Sequence, residues 1–236
     1  MNKIGAVILA RYSSNRLPGK ALLEINNKKV LKYIIERLSK VIPKSNIIVA
    51  TSDDVSDDVI DRFCSTEDIK CYRGSLEDVA SRFYEAAVKN KWEYAIRING
   101  DNIFVDTSIL NDMIKITNSN KYDFVSNVRH RTFPKGMSIE IVRLNFYKTM
   151  LNEILKSNYY KEHVTIYLYE NEDKVNHYYF LNKSVPRAAG IQLALDTEED
   201  FDRTVKIVNQ FKEPHWNYNL EEIVKIWGDL YNEKLF

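Results

Sequence analysis

The chain has 236 residues, of which 44% are hydrophobic and 28% charged, and its formal net charge is +1. This length suits one large α/β domain, and the composition is that of an ordinary globular protein, not a disordered chain. Near-neutral charge excludes the broad basic field that gathers nucleic acid or anionic lipid, so neither is an expected partner and any phosphate binding must be local.

Two cysteines, Cys64 and Cys71, are too few for a disulfide framework, and their spacing matches no common zinc signature. No stretch approaches the roughly 18 apolar residues of a membrane span, and the first residues lack a signal-peptide pattern. The expected compartment is the cytoplasm.

Ile4 to Ala10 (IGAVILA) is a near-continuous apolar run, which suits a central strand covered by helices on both faces. A polar, basic loop follows from Arg11 to Lys20. Val30 to Val41 then places Leu31, Ile34, Ile35 and Leu38 on one helical face, and Ile47 to Ala50 reads as a second buried strand. The acidic Ser52-Asp53-Asp54 run opens a helix through about Phe63. Ser75 to Asp78 matches a capping box before a helix that runs to about Asn90, and Tyr94 to Ile98 is the next strand. Asn99-Gly100-Asp101-Asn102 forms a turn at that strand's carboxyl end, the edge where open α/β sheets bind ligands.

From about 122 to 185 the pattern is less regular and contains Phe133-Pro134-Lys135-Gly136, which reads as a lid or dimerisation excursion from a single domain spanning 1–236. Within it, Leu144 to Leu155 and Tyr159 to Glu170 read as helices and Tyr178 to Leu181 as a strand. Thr197 to Asp200 is a second capping box for a helix to about Phe211, and Leu220 to Tyr231 is the last helix.

Ala10 to Lys20 carries three cations, Arg11, Arg16 and Lys20, and two adjacent hydroxyls, Ser13 and Ser14, directly after the first strand. Guanidinium groups grip phosphate oxygens in pairs and lysine acts as a mobile point charge, so the loop could cradle a nucleotide; the alternative is a solvated basic loop. The glycine-rich dinucleotide fingerprint and the Walker lysine motif are both absent, against NAD-dependent dehydrogenases and P-loop ATPases.

Beside the basic loop, the chain carries Tyr72-Arg73-Gly74-Ser75 with Asp78-Val79 and Arg82-Phe83-Tyr84; Arg97 to Asn102; Asp123 to Asn127; Phe133 to Gly136 with Glu140; Glu162-His163-Val164-Thr165; and Leu195 to Asp200. In these the chain resembles the cytidylyltransferase superfamily, which includes CMP-Kdo and CMP-sialic acid synthetases, and most of all the spore-coat polysaccharide biosynthesis protein F family. The shared order and spacing of these motifs carry the assignment.

The resemblance implies an α/β, GT-A-like (Rossmann-like) nucleotidyltransferase fold with a mixed central sheet flanked by helices. It implies transfer of CMP from CTP to an acidic sugar or similar small anionic acceptor, with Mg²⁺ as cofactor, a homodimer as assembly and surface polysaccharide or glycoconjugate synthesis as setting. Asp101 occupies the place of the metal-holding carboxylate, and Asp196 resembles the second metal-side aspartate. Asp196 also has a local explanation, because a carboxylate before a helix N-terminus is favoured by the helix dipole. Arg11, Arg16, Lys20 and Asp101 are the expected catalytic residues. Ala10, Arg11, Ser13, Ser14, Lys20, Arg73, Asp78, Arg82, Asn99 and Gly100 are expected around the nucleotide, with Arg73 to Arg82 near the base. Asp78 and Arg82 are equally explained as a helix cap and its i+4 ion-pair partner. His130, Arg131, Lys135, Glu140, Glu162 and His163 are expected to face the acceptor, with a solvated loop as the alternative for the basic group and a structural role for His163.

Three departures from the family pattern, Asn99, Ile103 and Ser138, bear on the acceptor. The rival readings are a nucleotide-sugar-dependent glycosyltransferase and a catalytically silent nucleotide-binding subunit. The first usually shows an Asp-X-Asp metal motif, which Asp101-Asn102-Ile103 does not supply, and the retained Arg11, Arg16, Lys20, Asp101 and Asp196 speak against the second.

Overall fold

A computed structural model describes residues 3–14 and 16–232; Asn15 of the basic loop lies outside the described residues. In chain order the elements are β1 (Ile4–Leu9), β2 (Glu24–Ile25), β3 (Lys28–Lys29), α1 (Val30–Leu38), β4 (Ile47–Ser52), α2 (Asp58–Thr66), β5 (Lys70–Gly74), α3 (Val79–Val88), β6 (Tyr94–Asn99) and α4 (Thr107–Thr117). Then come β7 (Phe124–Ser126), β8 (Glu140–Arg143), α5 (Leu144–Ile154), α6 (Asn158–His163), α7 (Ile166–Glu170), β9 (His177–Tyr179), α8 (Glu198–Val208) and α9 (Leu220–Tyr231).

Among the described residues, seven strands form one sheet in the order β5-β4-β1-β6-β8-β7-β9. β5, β4, β1 and β6 are parallel neighbours; β8 runs antiparallel to both β6 and β7, and β9 lies parallel to β7. β8 is therefore the one reversed strand of this sheet, giving the mixed sheet expected. The stretch read as an excursion contributes β7, β8 and β9 to it.

Alternation along β1 sorts the core. Ala6 and Ile8 face one layer with Leu31, Ile34 and Leu38 of α1, Leu110 and Met113 of α4, Ile207 of α8 and Ile223 of α9. Val7 and Leu9 face the other, with Phe83 of α3, Tyr147 of α5 and Leu168 of α7. A strand buried on both faces must be apolar at every position, which is why β1 reads as an unbroken run.

The chain passes from β1 to β4 and β5 on one side, then returns to place β6 on β1's other side, with Ile4 opposite Tyr94 through to Leu9 opposite Asn99. Connections diverge at the carboxyl ends of β1 and β6, and that divergence opens a crevice.

Several elements differ from the sequence reading. The Ser75 hydroxyl does accept from the Asp78 amide at 3.0 Å, but α3 starts later, with Asp78 as its cap at 2.9 Å from the Ser81 amide. The expected helix from Tyr159 to Glu170 is two helices, α6 and α7, separated at Val164. The boxes at Thr197 and Asp200, and the bounds of α9, are as expected.

Candidate active site

The basic loop folds over the ends of β1 and β6, and its path is fixed from below. The Tyr12 amide donates to Asp57 Oδ1 at 2.6 Å, while Asp57 Oδ2 takes the Ser52 amide at 2.9 Å and its hydroxyl at 2.5 Å. Burial alone would raise the pKa of Asp57, yet the hydrogen bonds from Ser52 and Tyr12 outweigh it and hold the carboxyl below its usual value. The loop closes where the Gly19 amide donates to the Tyr12 carbonyl at 2.9 Å, and a 3-10 turn at Lys20–Leu22 aims Lys20 across the crevice.

Lys20 Nζ lies 2.7 Å from Asp101 Oδ2, 2.8 Å from the Leu195 carbonyl and 3.4 Å from Asp196 Oδ1. Arg16 reaches the same Asp196 Oδ1 at 3.0 Å. Two glycines make this convergence possible. A Cβ on Gly100 would sit 2.9 Å from the Ala10 Cβ and 3.1 Å from the Leu9 carbonyl oxygen, so only glycine lets the two strand ends touch. Gly136, at φ 91°, lies against the backbone of Leu193 and Ala194, and hydrogen bonds between Lys135 and both Ile191 and Leu193 dock the segment that carries Asp196.

The crevice has a volume of about 860 Å³, and beyond the loop and the aspartates it is lined by Leu76, Glu77, Val79, Arg82, Arg97, Asn99, Asn158, Glu162 and His163. Arg11 spans it to pair with Glu162 of α6 at 2.8 Å. Arg82 is buried and donates to the Ser75 carbonyl at 2.7 Å; burial pushes its guanidinium pKa down.

α6 ends abruptly. Val164 has φ 52° and ψ −59°, and the Thr165 amide donates to the His163 carbonyl at 2.5 Å across it, a γ-turn with positive φ on a β-branched residue. Such a conformation costs on the order of 1–3 kcal/mol and persists only where its surroundings over-determine it. Here Val164 is fully buried, and the Tyr147 hydroxyl donates to its carbonyl at 2.8 Å. The turn leaves Glu162 and His163 in the crevice and sends Thr165 the other way, to Glu140.

The profile of the cytidylyltransferase family matches residues 6–232. The chain belongs to the cytidylyltransferase family. Spore coat polysaccharide biosynthesis protein SpsF of Bacillus subtilis is 31% identical over 209 residues, covering 86% of this chain and 85% of the relative. A solved cytidylyltransferase from Leptospira borgpetersenii serovar Hardjo-bovis has a TM-score of 0.90 at 27% identity, covering 98% of this chain and 96% of that one. A CMP:2-keto-3-deoxy-manno-octonic acid synthetase complexed with CTP has a TM-score of 0.64 at 17% identity, covering 88% and 99% of the two chains, and shares the fold. This cytidylyltransferase is a CTP-dependent nucleotidyltransferase on the Rossmann-like fold its motifs implied.

Of the residues singled out in sequence, the crevice of the cytidylyltransferase gathers Ala10, Arg11, Ser13, Ser14, Arg16, Lys20, Arg82, Asn99, Gly100, Asp101, Glu162, His163 and Asp196. It does not gather the others. Arg73 is spent on structure, donating to the Ser52 carbonyl at 3.0 Å, the Asp54 carbonyl at 2.8 Å and Asp58 at 2.6 Å, so α2 and the edge of the sheet hold all of its reach. Asp78 caps α3 without lining the crevice, and its i+4 neighbour Arg82 donates to the Ser75 carbonyl. His130 and Arg131 lie exposed in a 3-10 turn, both with positive φ, while neighbouring Arg129 pairs with Glu172 at 2.7 Å. Lys135 is exposed and serves through its backbone, and Glu140 is buried beneath the crevice floor.

Arg97, quoted only as part of the family likeness, and Asp57 were given no role by the sequence reading. A single arginine in an apolar strand gives no periodic signal, and Asp57 lay inside the helix expected from Ser52-Asp53-Asp54 to about Phe63. Asn102 turns away from the aspartates, buried, with its Nδ2 donating to the Ser138 carbonyl at 2.9 Å. Asp101 and Asp196, which share the Lys20 ammonium, are a pair of carboxylates in the crevice that could hold a metal. Hard divalent ions take oxygen ligands and are commonly held by one or two carboxylates with phosphates and water, so this pair fits such an ion bound with a nucleotide. No helix among the described residues is long and apolar enough to cross a membrane.

Proposed function

We propose that this cytidylyltransferase moves CMP from CTP to an acidic sugar or similar small anionic acceptor, with release of pyrophosphate, in surface polysaccharide or glycoconjugate synthesis. The observation that carries this reading is Lys20, whose ammonium sits between Asp101 and Asp196 at the foot of a loop bearing Arg11 and Arg16. A triphosphate with a divalent ion offers every one of these groups a partner of opposite sign. Asp101 and Asp196 would hold Mg²⁺, which when bound neutralises phosphate charge and fixes phosphate geometry. Lys20, Arg16 and Arg11 then turn to phosphate oxygens, and stabilise the charge that grows on the leaving pyrophosphate.

An acceptor oxygen attacks the α-phosphorus in line; the new P–O bond forms as the bond to the bridging oxygen breaks, and that electron pair leaves with pyrophosphate. His163 lines the crevice where a proton from an acceptor hydroxyl can be taken, and an acceptor already ionised needs no base. Positioning and charge neutralisation supply most of the rate. The spore-coat relative is named for polysaccharide synthesis, which supports the setting, and the CTP-bound neighbour for a 2-keto-3-deoxy acid, which supports an acidic-sugar acceptor. The same reading takes the cytoplasm as compartment and a homodimer as assembly.

The test is where the nucleotide is cut. With CTP labelled at the α-phosphorus, label should pass to the acceptor with one pyrophosphate released per transfer. Release of free CMP or CDP without labelled acceptor would contradict the proposal.

A further inference from the structure

Arg97 and Glu140 are direct register partners across β6 and β8, so their side chains leave the same face of the sheet side by side. Glu140 is in register with Ser126 of β7, and Ser126 with Tyr179 of β9, so one polar row crosses four strands. Glu140 is 2% exposed, and both its oxygens are taken: Oε2 by Arg97, and Oε1 by the Thr165 hydroxyl at 2.7 Å and the Tyr169 hydroxyl at 2.8 Å. Burial and the facing Glu140 carboxylate push the Tyr169 phenol well above its usual pKa, so it stays a donor, while its oxygen accepts from Ser126 Oγ at 2.5 Å. Glu140 does not line the crevice, and three donors already hold its two oxygens. It was expected to meet the acceptor; its partners commit it to Arg97 instead.

Arg97 is at the open end of this row and lines the crevice. Glu140 accepts from its Nη1, and Nε has no hydrogen-bond partner among the described residues. A guanidinium carries five N–H donors in a planar fork, so most of its donors meet no partner among the described residues. Arg97 and Asn99 share a face of β6, about 7 Å apart at strand spacing, and Asp101 follows in the turn beyond. A sugar-sized acceptor with its reacting oxygen near Asp101 can therefore reach Arg97 with a group at its other end.

We infer that Arg97 binds the carboxylate of the acceptor, and that Glu140, held by Thr165 and Tyr169, positions the Arg97 guanidinium for it. This inference rests on the proposed CMP transfer and narrows its acceptor to a carboxylate. A guanidinium fork pairs with carboxylate and phosphate alike; the phosphates already have Lys20, Arg11 and Arg16 of the basic loop, and Arg97 stands on β6 outside that loop, which leaves its fork for a carboxylate on the acceptor. The fixed ion pair orders the guanidinium before the acceptor arrives.

Pyrophosphate release from CTP and Mg²⁺ is measured with 2-keto-3-deoxy-manno-octonic acid, N-acetylneuraminic acid and glucuronic acid, with mannose and ribitol 5-phosphate as controls. The wild type should use at least one of the acids and neither control. Arg97→Lys should raise KM for that acid tenfold or more, and Glu140→Gln by a smaller factor. The double variant Arg97→Met with Glu140→Gln, which leaves no unpaired buried charge, should raise it about a hundredfold. The Kd for CTP by calorimetry should stay within twofold throughout. Unchanged acid KM in the folded double variant, equal loss of CTP affinity, or preference for a control would overturn the assignment while leaving CMP transfer standing. Absence of pyrophosphate release with every acceptor would sink the functional reading and this assignment with it.

Discussion

Lys20 Nζ and Asp101 Oδ2 meet at 2.7 Å across 81 residues of sequence, and the same ammonium reaches Asp196. The pair is mostly shielded from solvent, so each group shapes the other's availability. Asp101→Ala should lower turnover by about 10²- to 10³-fold, the scale for losing one preorganised charge-stabilising group, with little change in thermal midpoint because Asp101 sits in a turn. Lys20→Ala should lower kcat/KM on the same scale yet let Mn²⁺ alone raise the thermal midpoint more than in the wild type, since the two carboxylates lose their competing cation. Steady-state kinetics and melting curves check both.

Asp57 holds the basic loop at Tyr12, and its pKa is below the unfolded value near 3.9. The unfolded state therefore binds the proton first as pH falls. The stability this residue contributes is complete above about pH 5 and is lost as pH drops through its folded-state pKa. Asp57→Asn should cost about 1–2 kcal/mol at pH 7, from weakened charge-assisted hydrogen bonds, and should narrow its stability gap to the wild type towards pH 3. Denaturant titration across that range shows whether the gap closes.

Tyr147 secures the γ-turn at Val164 through the hydrogen bond to its carbonyl. Tyr147→Phe leaves that buried carbonyl unpaired and should cost about 1–2 kcal/mol of stability. It should also raise the acceptor KM more than it changes CTP affinity, because the turn aims Glu162 and His163. Parallel measurement of both constants separates this local effect from general loosening.

How much of this was legible in sequence depends on how far apart the partners lie. α9 and the Thr197 to Asp200 box were read to the residue because a cap and helical periodicity are local signals. The cations of the basic loop and Asp101 were legible because each follows a strand, the edge where ligands gather. α4 went unread although Asp106 caps it, with its Oδ1 accepting from the Ser108 and Ile109 amides. β7 and β8 are too short to show a period of two. The Arg97 and Glu140 pairing was hidden because strand register, 43 residues apart in sequence, sets it. The partners of Arg73 were hidden for a similar reason: Ser52, Asp54 and Asp58 become its neighbours only when β4 and β5 pair.

The most direct measurement of the account is the thermal midpoint with Mg²⁺ and each of CTP, UTP, ATP and GTP at equal concentration. The phosphate and metal contacts proposed for Lys20, Arg16, Asp101 and Asp196 would be common to all four, so any difference would arise at the base. A pocket built to meet the cytosine amino group leaves a buried acceptor unmet by UTP, a loss of about 1–3 kcal/mol, and a purine is excluded by size. Ligands that bind the folded state raise the midpoint by mass action, so CTP should give the largest shift. Equal shifts with all four nucleotides, or a larger shift with UTP, would contradict the account.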